Sequence, residues 1–158
     1  MATKTNAIRL VQLSGIPCRE AFYDYDEKDL SGIHAAHAIG MPEEQVFKTL
    51  VARGERTGIH VFCIPVCLEL DLKKAAKAAG DKNMELVPVK ELLSLTGYIR
   101  GGCSPVGMKK KYPTHFDESC LLFDEIAVSA GARGHQMILP PEPLAALVGA
   151  ETADLTTF

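Results

Sequence analysis

The sequence lacks the patterns of a membrane protein and of a protein that coats nucleic acid. No run of about 18 apolar residues occurs, so no segment is predicted to span a bilayer. The segment 1–10 carries charges without an apolar core behind them, which predicts that it is not a secretory signal. The formal net charge of −3 excludes bulk electrostatic binding of a polynucleotide, so any such contact must be local. Lysine clusters offer such contacts at Lys73, Lys74, Lys77 and Lys82 and at 109–111.

Common motifs for metals, disulfides and nucleotides are also missing. The cysteines are an odd, scattered set without a CxxC pair: Cys18, Cys63, Cys67, Cys103 and Cys120. This usage is typical of a reduced cytoplasm, where most such thiols are small buried residues. His34 and His37 share a helix face without a third ligand spaced to join them, so no metal site is expected. Neither a P-loop nor a GxGxxG motif is present, which removes two phosphate-binding folds.

The composition is that of one ordinary globular domain. Apolar residues make up 47% and charged residues 23% of the 158 positions, enough for a proper core. There is no repeat, linker or low-complexity stretch. We therefore predict a single α+β domain with a mixed sheet over residues 1–158.

Apolar periodicity and turn residues predict the order of the elements. Helices are expected from Thr3 or Thr5 to residue 13 and at 32–39, 72–79, 89–95 and 142–148. Strands are expected at 19–26, 46–52, 59–66, 84–87, 126–130 and 136–139. The segment 116–123 is compatible with a strand or a helical turn, and the residues after 148 are expected to be weakly structured.

The segment 101–107, Gly-Gly-Cys-Ser-Pro-Val-Gly, cannot be an ordinary helix or strand. Glycines allow backbone amides to approach a ligand oxygen closely, and Pro105 stiffens the turn. A basic run, 109–111, follows at once. The pattern favours a pocket for an anion or a polarised carbonyl, with a plain surface turn as the alternative.

Lys48 lies in the middle of the apolar segment 46–52. Strand alternation places it on the same face as Val46, Leu50 and Ala52. An unpaired ammonium buried there would cost on the order of several kcal/mol. Lys48 therefore either reaches a cavity or extends along its own stem to the surface.

Three segments together resemble the signature segments of the YbaK/EbsC family of aminoacyl-tRNA deacylases. They are 46–51 (VFKTLV), 97–111 (GYIRGGCSPVGMKKK) and 128–134 (VSAGARG), and their order and intervals cover essentially the whole chain. The resemblance implies a compact α+β fold with a mixed, partly closed β-sheet flanked by helices. It also implies a cytoplasmic trans-editing enzyme that hydrolyses mischarged tRNA, characteristically Cys-tRNA(Pro), without metal or other cofactor. The implied partners are the 3′ aminoacyl end of tRNA and, for some members, prolyl-tRNA synthetase.

The resemblance also implies roles for particular residues. Lys48, Tyr25 and the amides of Gly101 and Gly102 are the implied catalytic groups. The implied substrate-binding residues are Ser31, Thr49, Cys103, Ser104, Pro105, Ser129, Gly131 and Gln136. Better-known members carry an aromatic residue in place of Ser31 and an aspartate in place of Gln136, which bears on the preference for cysteine more than on hydrolysis.

Two alternatives stay open on the sequence alone. One is a hydrolase that acts through Cys103 as its nucleophile. The other is a noncatalytic module that binds aminoacyl-tRNA ends or a prolyl-tRNA synthetase. For a deacylase, the attacking group is water or, with a cysteinyl substrate, the substrate's own thiol.

Overall fold

The computed structural model of the protein describes residues 4–157. The described residues form five α-helices: α1 (Asn6–Ser14), α2 (Gly32–Ile39), α3 (Leu72–Ala79), α4 (Val89–Thr96) and α5 (Pro141–Val148). The same part of the chain contains ten strands: β1 (Arg19–Phe22), β2 (Phe47–Gly54), β3 (Gly58–Pro65), β4 (Glu69–Leu70), β5 (Met84–Leu86), β6 (Thr114–Asp117), β7 (Ile126–Ala132), β8 (His135–Leu139), β9 (Glu151–Ala153) and β10 (Thr156–Thr157). Short 3₁₀ turns occupy Glu43–Gln45 and Glu118–Leu122.

The helix ends follow their capping chemistry. Thr5, Ser31 and Asp71 each accept a hydrogen bond from a backbone N–H in the first turn of α1, α2 and α3, which satisfies donors that have no partner inside the helix. A glycine follows the last residue of each of these helices. The alternative cap Thr3 lies outside the described residues.

Two β-sheets form the centre of the fold. The larger is a five-stranded mixed sheet in the order β5-β2-β3-β6-β9, in which β6 pairs in parallel with β3 and β9. The smaller is an antiparallel sheet in the order β1-β8-β7. A parallel bridge between Val46 and Ala127 joins them where β2 meets β7. The predicted α+β class with a mixed, partly closed sheet is thus confirmed.

The main hydrophobic core lies between the smaller sheet, α1 and α5. Its fully buried side chains come from both sheets and both helices: Ile8, Val11, Phe47, Phe116, Ile126, Met137, Leu139 and Leu144. A second cluster, which includes Phe62, Ile64 and Ala75, packs α3 against the larger sheet. Lys48, Thr49 and Val51 of β2, which belong to neither of these clusters, line a cavity that is described below.

Three predicted elements differ from the structure. The strand predicted at 19–26 ends at Phe22, because the chain leaves the sheet after the N–H of Tyr23 bonds to the carbonyl of Gly134 at 3.0 Å. The ambiguous segment 116–123 divides between β6 and the 3₁₀ turn that follows it. The expectation of weak structure after residue 148 is wrong, since β9 pairs with β6 and β10 with β4. No helix in the described part of the chain is long and apolar enough to cross a membrane.

Candidate active site

A cavity of about 570 Å³ opens between the start of α2, strand β2, helix α4 and the glycine loop 101–107. Its volume lies within the usual range of small-molecule sites, roughly 300–1,000 Å³. Seven of the twelve predicted site residues line it: Ser31, Lys48, Thr49, Gly101, Cys103, Ser129 and Gln136. These residues are far apart in the sequence, and the fold brings them to one place.

Three polar side chains form a row across the sheets at this cavity. Ser129 on β7 pairs directly with Gln136 on β8. The bridge between Val46 and Ala127 is parallel, so Lys48 lies beside Ser129, two residues further along both strands. Ser129 and Gln136 are 8% and 6% exposed, and all three members of the row line the cavity. The cavity thus combines a cation with hydroxyl and amide groups.

Lys48 lines the cavity as a half-buried side chain. Its burial lowers the pKa of the ammonium, while the nearby Glu69 and Cys67 act in the opposite direction. No ion pair within 4.0 Å and no side-chain hydrogen bond joins Lys48 to any residue in 4–157. The alternative left open by the sequence is decided in favour of a cavity, and the cation there is available to a ligand.

The glycine loop is held in shape by hydrogen bonds to its carbonyl groups. The Tyr98 hydroxyl donates to the Val106 carbonyl at 2.6 Å, and the Asn6 side-chain amide donates to the Gly107 carbonyl at 2.9 Å. The hydroxyl of Ser104 accepts from the Val106 N–H at 3.2 Å. The backbone of the loop is therefore fixed without a ligand, by hydrogen bonds from Asn6 of α1, from Tyr98 and within the loop itself.

The two predicted amide donors, Gly101 and Gly102, are not equivalent. Gly101 lines the cavity, and its N–H has no hydrogen-bond partner in the described chain. The N–H of Gly102 instead donates to the Ile99 carbonyl at 2.9 Å. A Cβ on Gly102 would lie 3.0 Å from the backbone of Ala132 and Arg133. The structure thus corrects the role of Gly102: its amide is already used, and its lack of a side chain permits close packing against the β7–β8 turn.

Cys103 contributes a second free amide among the loop residues that line the cavity. It is 8% exposed and lines the cavity, and its N–H, like that of Gly101, has no partner within the described residues. Burial raises the pKa of its thiol to about 11, although a hydrogen bond with the Thr96 side chain acts to lower the pKa. The thiol is therefore protonated near neutral pH, and the side chain acts as a small packing group.

Tyr25 does not line the cavity; it is 47% exposed. Tyr23 lines the cavity instead, because β1 ends at Phe22 and the chain turns inward there. Burial raises the pKa of the Tyr23 hydroxyl, against a lowering effect of the Gln136 side chain and the Gly134 backbone. The family resemblance had indicated Tyr25, two residues further along the chain, and only the course of the chain after β1 brings Tyr23 to the cavity.

Three further predicted residues lie behind the cavity wall. Ser104 is fully buried and serves the loop as described. Gly131 donates its N–H to the Ser129 hydroxyl at 3.1 Å, which orients a group that does line the site. Pro105 borders a different cavity on the other side of the loop. None of the three is among the residues that line the first cavity.

The remaining two predicted residues at the cavity already have partners. The Ser31 hydroxyl accepts from the His34 N–H at 3.2 Å and donates to Asp29 at 2.6 Å. The Thr49 hydroxyl lies 3.6 Å from the sulfur of Cys63. Both residues shape the wall, and Ser31 does so as the cap of α2.

Residues missed by the sequence interpretation supply the rest of the lining. Cys67 and Glu69 lie close enough to Lys48 to influence its pKa and also line the cavity. Apolar side chains from the segment before α2, from β5 and from α4 also line the cavity, among them Leu30, Leu86 and Val89. No local motif marks these positions, because their place at the cavity depends on how the turn after β3 and helix α4 pack against β2.

Two histidines near α2, His34 and His37, each lie beside one carboxylate within the part of the chain that the structure describes. His37 contacts Glu43 at 2.9 Å, and His34 lies 3.9 Å from Asp29. Over residues 4–157, no three His, Cys, Asp or Glu side chains are grouped so that they could hold a metal ion.

Fold and cavity together define an α+β protein with a candidate active site formed by Lys48 and the glycine loop. The family model for the aminoacyl-tRNA editing domain matches residues 31–147, and the chain belongs to that family. The resemblance stated from the three segments is confirmed, and with it the enzyme class, an aminoacyl-tRNA deacylase.

Relatives cover nearly the full chain. The protein named "Putative Cys-tRNA(Pro)/Cys-tRNA(Cys) deacylase EbsC" from Enterococcus faecalis is 46% identical over 154 residues, 98% of this chain and 94% of the relative. The crystal structure of "a putative trans-editing enzyme for prolyl tRNA synthetase" is 28% identical with a TM-score of 0.82, covering 99% of this chain and 100% of that one. The hypothetical protein APE2540 shares the fold at 22% identity, with a TM-score of 0.87 over 97% of this chain and 100% of its own.

Proposed function

We propose that the protein is a trans-editing hydrolase of the cytoplasm that deacylates mischarged tRNA, with Cys-tRNA(Pro) as its preferred substrate. The observation that carries this proposal is the unpaired Lys48 in a cavity that also contains the free amides of Gly101 and Cys103. The name of the Enterococcus relative, at 46% identity, supports the choice of substrate.

The proposed chemistry requires little from the protein, because an aminoacyl ester of a ribose hydroxyl is already an activated acyl group. The N–H groups of Gly101 and Cys103 hold the ester carbonyl oxygen as negative charge develops on it. Removing one such donor typically costs about 100-fold or more in rate. The hydrogen bonds of Tyr98 and Asn6 keep the loop in this form, so little reorganisation is needed during the reaction.

Lys48 serves as the cation of the site. Its ammonium attracts the ribose–phosphate end of the substrate and stabilises the developing charge on the carbonyl oxygen. A flexible stem with three donors suits a group that must contact different oxygens along the reaction.

No side chain of the protein is required as the nucleophile. The raised pKa of Cys103, about 11, leaves it without appreciable thiolate near neutral pH. Water can attack the carbonyl carbon directly. With a cysteinyl ester the substrate thiol can attack instead: the S–C bond forms as the ester C–O bond breaks, the thiol proton passes to the leaving ribose oxygen, and water then opens the thiolactone.

Tyr23 and Gln136 bind the amino acid part of the substrate in this proposal. Tyr23 takes the place predicted for Tyr25, since Tyr23 is the tyrosine that lines the cavity. The buried Oε1 of Gln136 has no hydrogen-bond partner in the described chain. A buried acceptor without a partner is costly, and the α-ammonium of an aminoacyl ester is a donor of the right kind.

The decisive experiment compares loss of the ester from Cys-tRNA(Pro) and Ala-tRNA(Pro) with the wild-type protein, Lys48→Ala and Lys48→Arg. We expect Lys48→Ala to lose about 100-fold or more of kcat/KM and Lys48→Arg to recover part of it. Lys4→Ala, which removes an exposed lysine ahead of α1, is the matched control and should equal wild type. Equal ester loss with Lys48→Ala would remove Lys48 from the mechanism.

The same assay separates the deacylase from a noncatalytic module. Such a module would bind aminoacyl-tRNA saturably without accelerating ester loss. Adding purified prolyl-tRNA synthetase tests the proposed partner: a raised rate, absent with an unrelated synthetase, would support a complex, and an unchanged rate would show that the protein acts alone.

A further inference from the structure

A second cavity, of about 300 Å³, lies on the opposite side of the glycine loop. It is bounded by α1, by the segments 105–108 and 110–112, by the start of β6 and by the end of α5. It shares no lining residue with the first cavity. The function proposed above therefore makes no use of it.

The walls of this second cavity are apolar. Leu10, Val106, Met108, Leu147 and Val148 line it. The polar groups among its other lining residues are already satisfied: the Tyr112 hydroxyl donates to the Leu95 carbonyl at 2.8 Å, and the Thr114 hydroxyl donates to the Tyr112 carbonyl at 3.0 Å. The cavity therefore favours a hydrocarbon or aromatic body over a polar one.

Two cations border the apolar walls. Lys110 and Lys111 are exposed and line the cavity, and neither has an ion pair within the described residues. A single acidic group on a ligand would complement them. By contrast, the neighbouring Lys109 does not line the cavity, and its stem packs beside Gly97.

We propose that this cavity binds a small organic anion, with an aromatic or short hydrocarbon body between α1 and α5 and one carboxylate, sulfonate or phosphate group at Lys110 and Lys111. An RNA phosphate would use the lysines but leave the apolar walls empty. The combination of an apolar cavity and two unpaired cations at one edge therefore favours the amphiphilic small molecule.

The test uses 8-anilinonaphthalene-1-sulfonate, a fluorescent aromatic anion, titrated into the folded full-length protein. We expect saturable binding that the double variant Lys110→Glu/Lys111→Glu weakens about tenfold or more. Lys109→Glu changes the charge of the same basic run outside the cavity and should weaken binding less than twofold or so. Lys48→Ala, in the first cavity, should leave the titration unchanged. Circular dichroism and thermal unfolding establish that each variant is folded.

Competition with the fluorescent probe shows whether a ligand needs both its apolar body and its acidic group to bind. Displacement of the probe by 2-naphthoate, together with much weaker displacement by inorganic phosphate and by 2-naphthol, would support the proposal. Three results would overturn it: equal binding by the double variant, loss of binding in Lys48→Ala, and displacement by a short single-stranded RNA as efficient as by 2-naphthoate. The last would identify an RNA surface. None of these measurements depends on deacylase activity.

Discussion

The Tyr98 hydroxyl donates a 2.6 Å hydrogen bond to the carbonyl of Val106 and thereby closes the base of the glycine loop. Both residues are buried, so Tyr98→Phe leaves a buried carbonyl without this donor. We expect a loss of about 1–2 kcal/mol in the free energy of unfolding, measured by urea denaturation. We also expect a clear fall in deacylation, because the amides of Gly101 and Cys103 belong to the same loop.

Tyr112→Phe is the matched control for that prediction. Its hydroxyl also donates to a backbone carbonyl, that of Leu95 at 2.8 Å, but Tyr112 does not line the first cavity. We expect a similar loss of stability with deacylase activity retained. If both variants lost activity equally, the role of the loop as a positioned donor would be contradicted.

The local parts of this fold could be predicted, and the parts set by distant contacts could not. Caps such as Ser31 and Asp71 act within one turn, and the helices that follow them were predicted with their observed bounds, 32–39 and 72–79. The use of the Gly102 amide by Ile99 depends on the exact course of the loop. The strand β9 exists only because it pairs with His115 and its neighbours far earlier in the chain.

In the candidate site, too, local sequence patterns could be interpreted in advance, whereas features that depend on distant contacts could not. The apolar context of Lys48 indicated that its ammonium needs a cavity or a route to solvent, and only the packing of the β3–β4 turn and α4 decides between them. The resemblance indicated Tyr25, and the exit of the chain from the sheet after Phe22 brings Tyr23 to the cavity instead. Cys67 and Glu69 carry no motif at all.

A buried histidine pair predicts how stability depends on pH. His60 and His115 share a hydrogen bond of 3.0 Å between ring nitrogens, and His60 also contacts Thr57 at 2.7 Å. Burial lowers the pKa of both rings. At His60 the charge of Asp81 acts to raise the pKa. At His115 the neighbouring His60 lowers the pKa further, and the charge of Glu151 acts to raise it. Below the ordinary histidine pKa of about 6.5, the unfolded chain therefore binds more protons than the folded protein.

Stability should accordingly fall as the pH decreases from about 7 to about 5, by up to roughly 1.4 kcal/mol per pH unit for each proton involved. Urea denaturation of His115→Gln should show a shallower slope against pH than wild type. His37→Gln is the control, because His37 is exposed beside Glu43. A slope unchanged by His115→Gln would show that the pair does not titrate in this way.

Gln136→Met should separate activity from stability. The change is nearly isosteric and removes a buried Oε1 that has no partner in the described chain, together with the side-chain amide that acts on the Tyr23 hydroxyl, so the free energy of unfolding should fall by no more than about 1 kcal/mol. If Oε1 accepts a hydrogen bond from the substrate, kcat/KM should fall about tenfold.

Gln45→Met should give the opposite result. The Gln45 side-chain amide donates to the Glu125 carbonyl at 2.8 Å outside the cavity, so its loss should lower stability and leave kcat/KM unchanged. A Gln136→Met variant with wild-type kcat/KM would show that Oε1 does not contact the substrate.

Cys103→Ala distinguishes a packing residue from a nucleophile. The thiol is 8% exposed with its pKa raised to about 11, and alanine keeps the backbone N–H that the proposed mechanism uses. We therefore expect deacylation of Cys-tRNA(Pro) to stay within about tenfold of wild type, with a modest loss of stability from the small cavity.

Cys120→Ala, in the core beneath α5 and away from the site, measures the effect of losing a buried thiol alone. A folded Cys103→Ala protein with activity reduced by about 1,000-fold or more, beside an active Cys120→Ala protein, would make Cys103 the nucleophile and replace the mechanism proposed here.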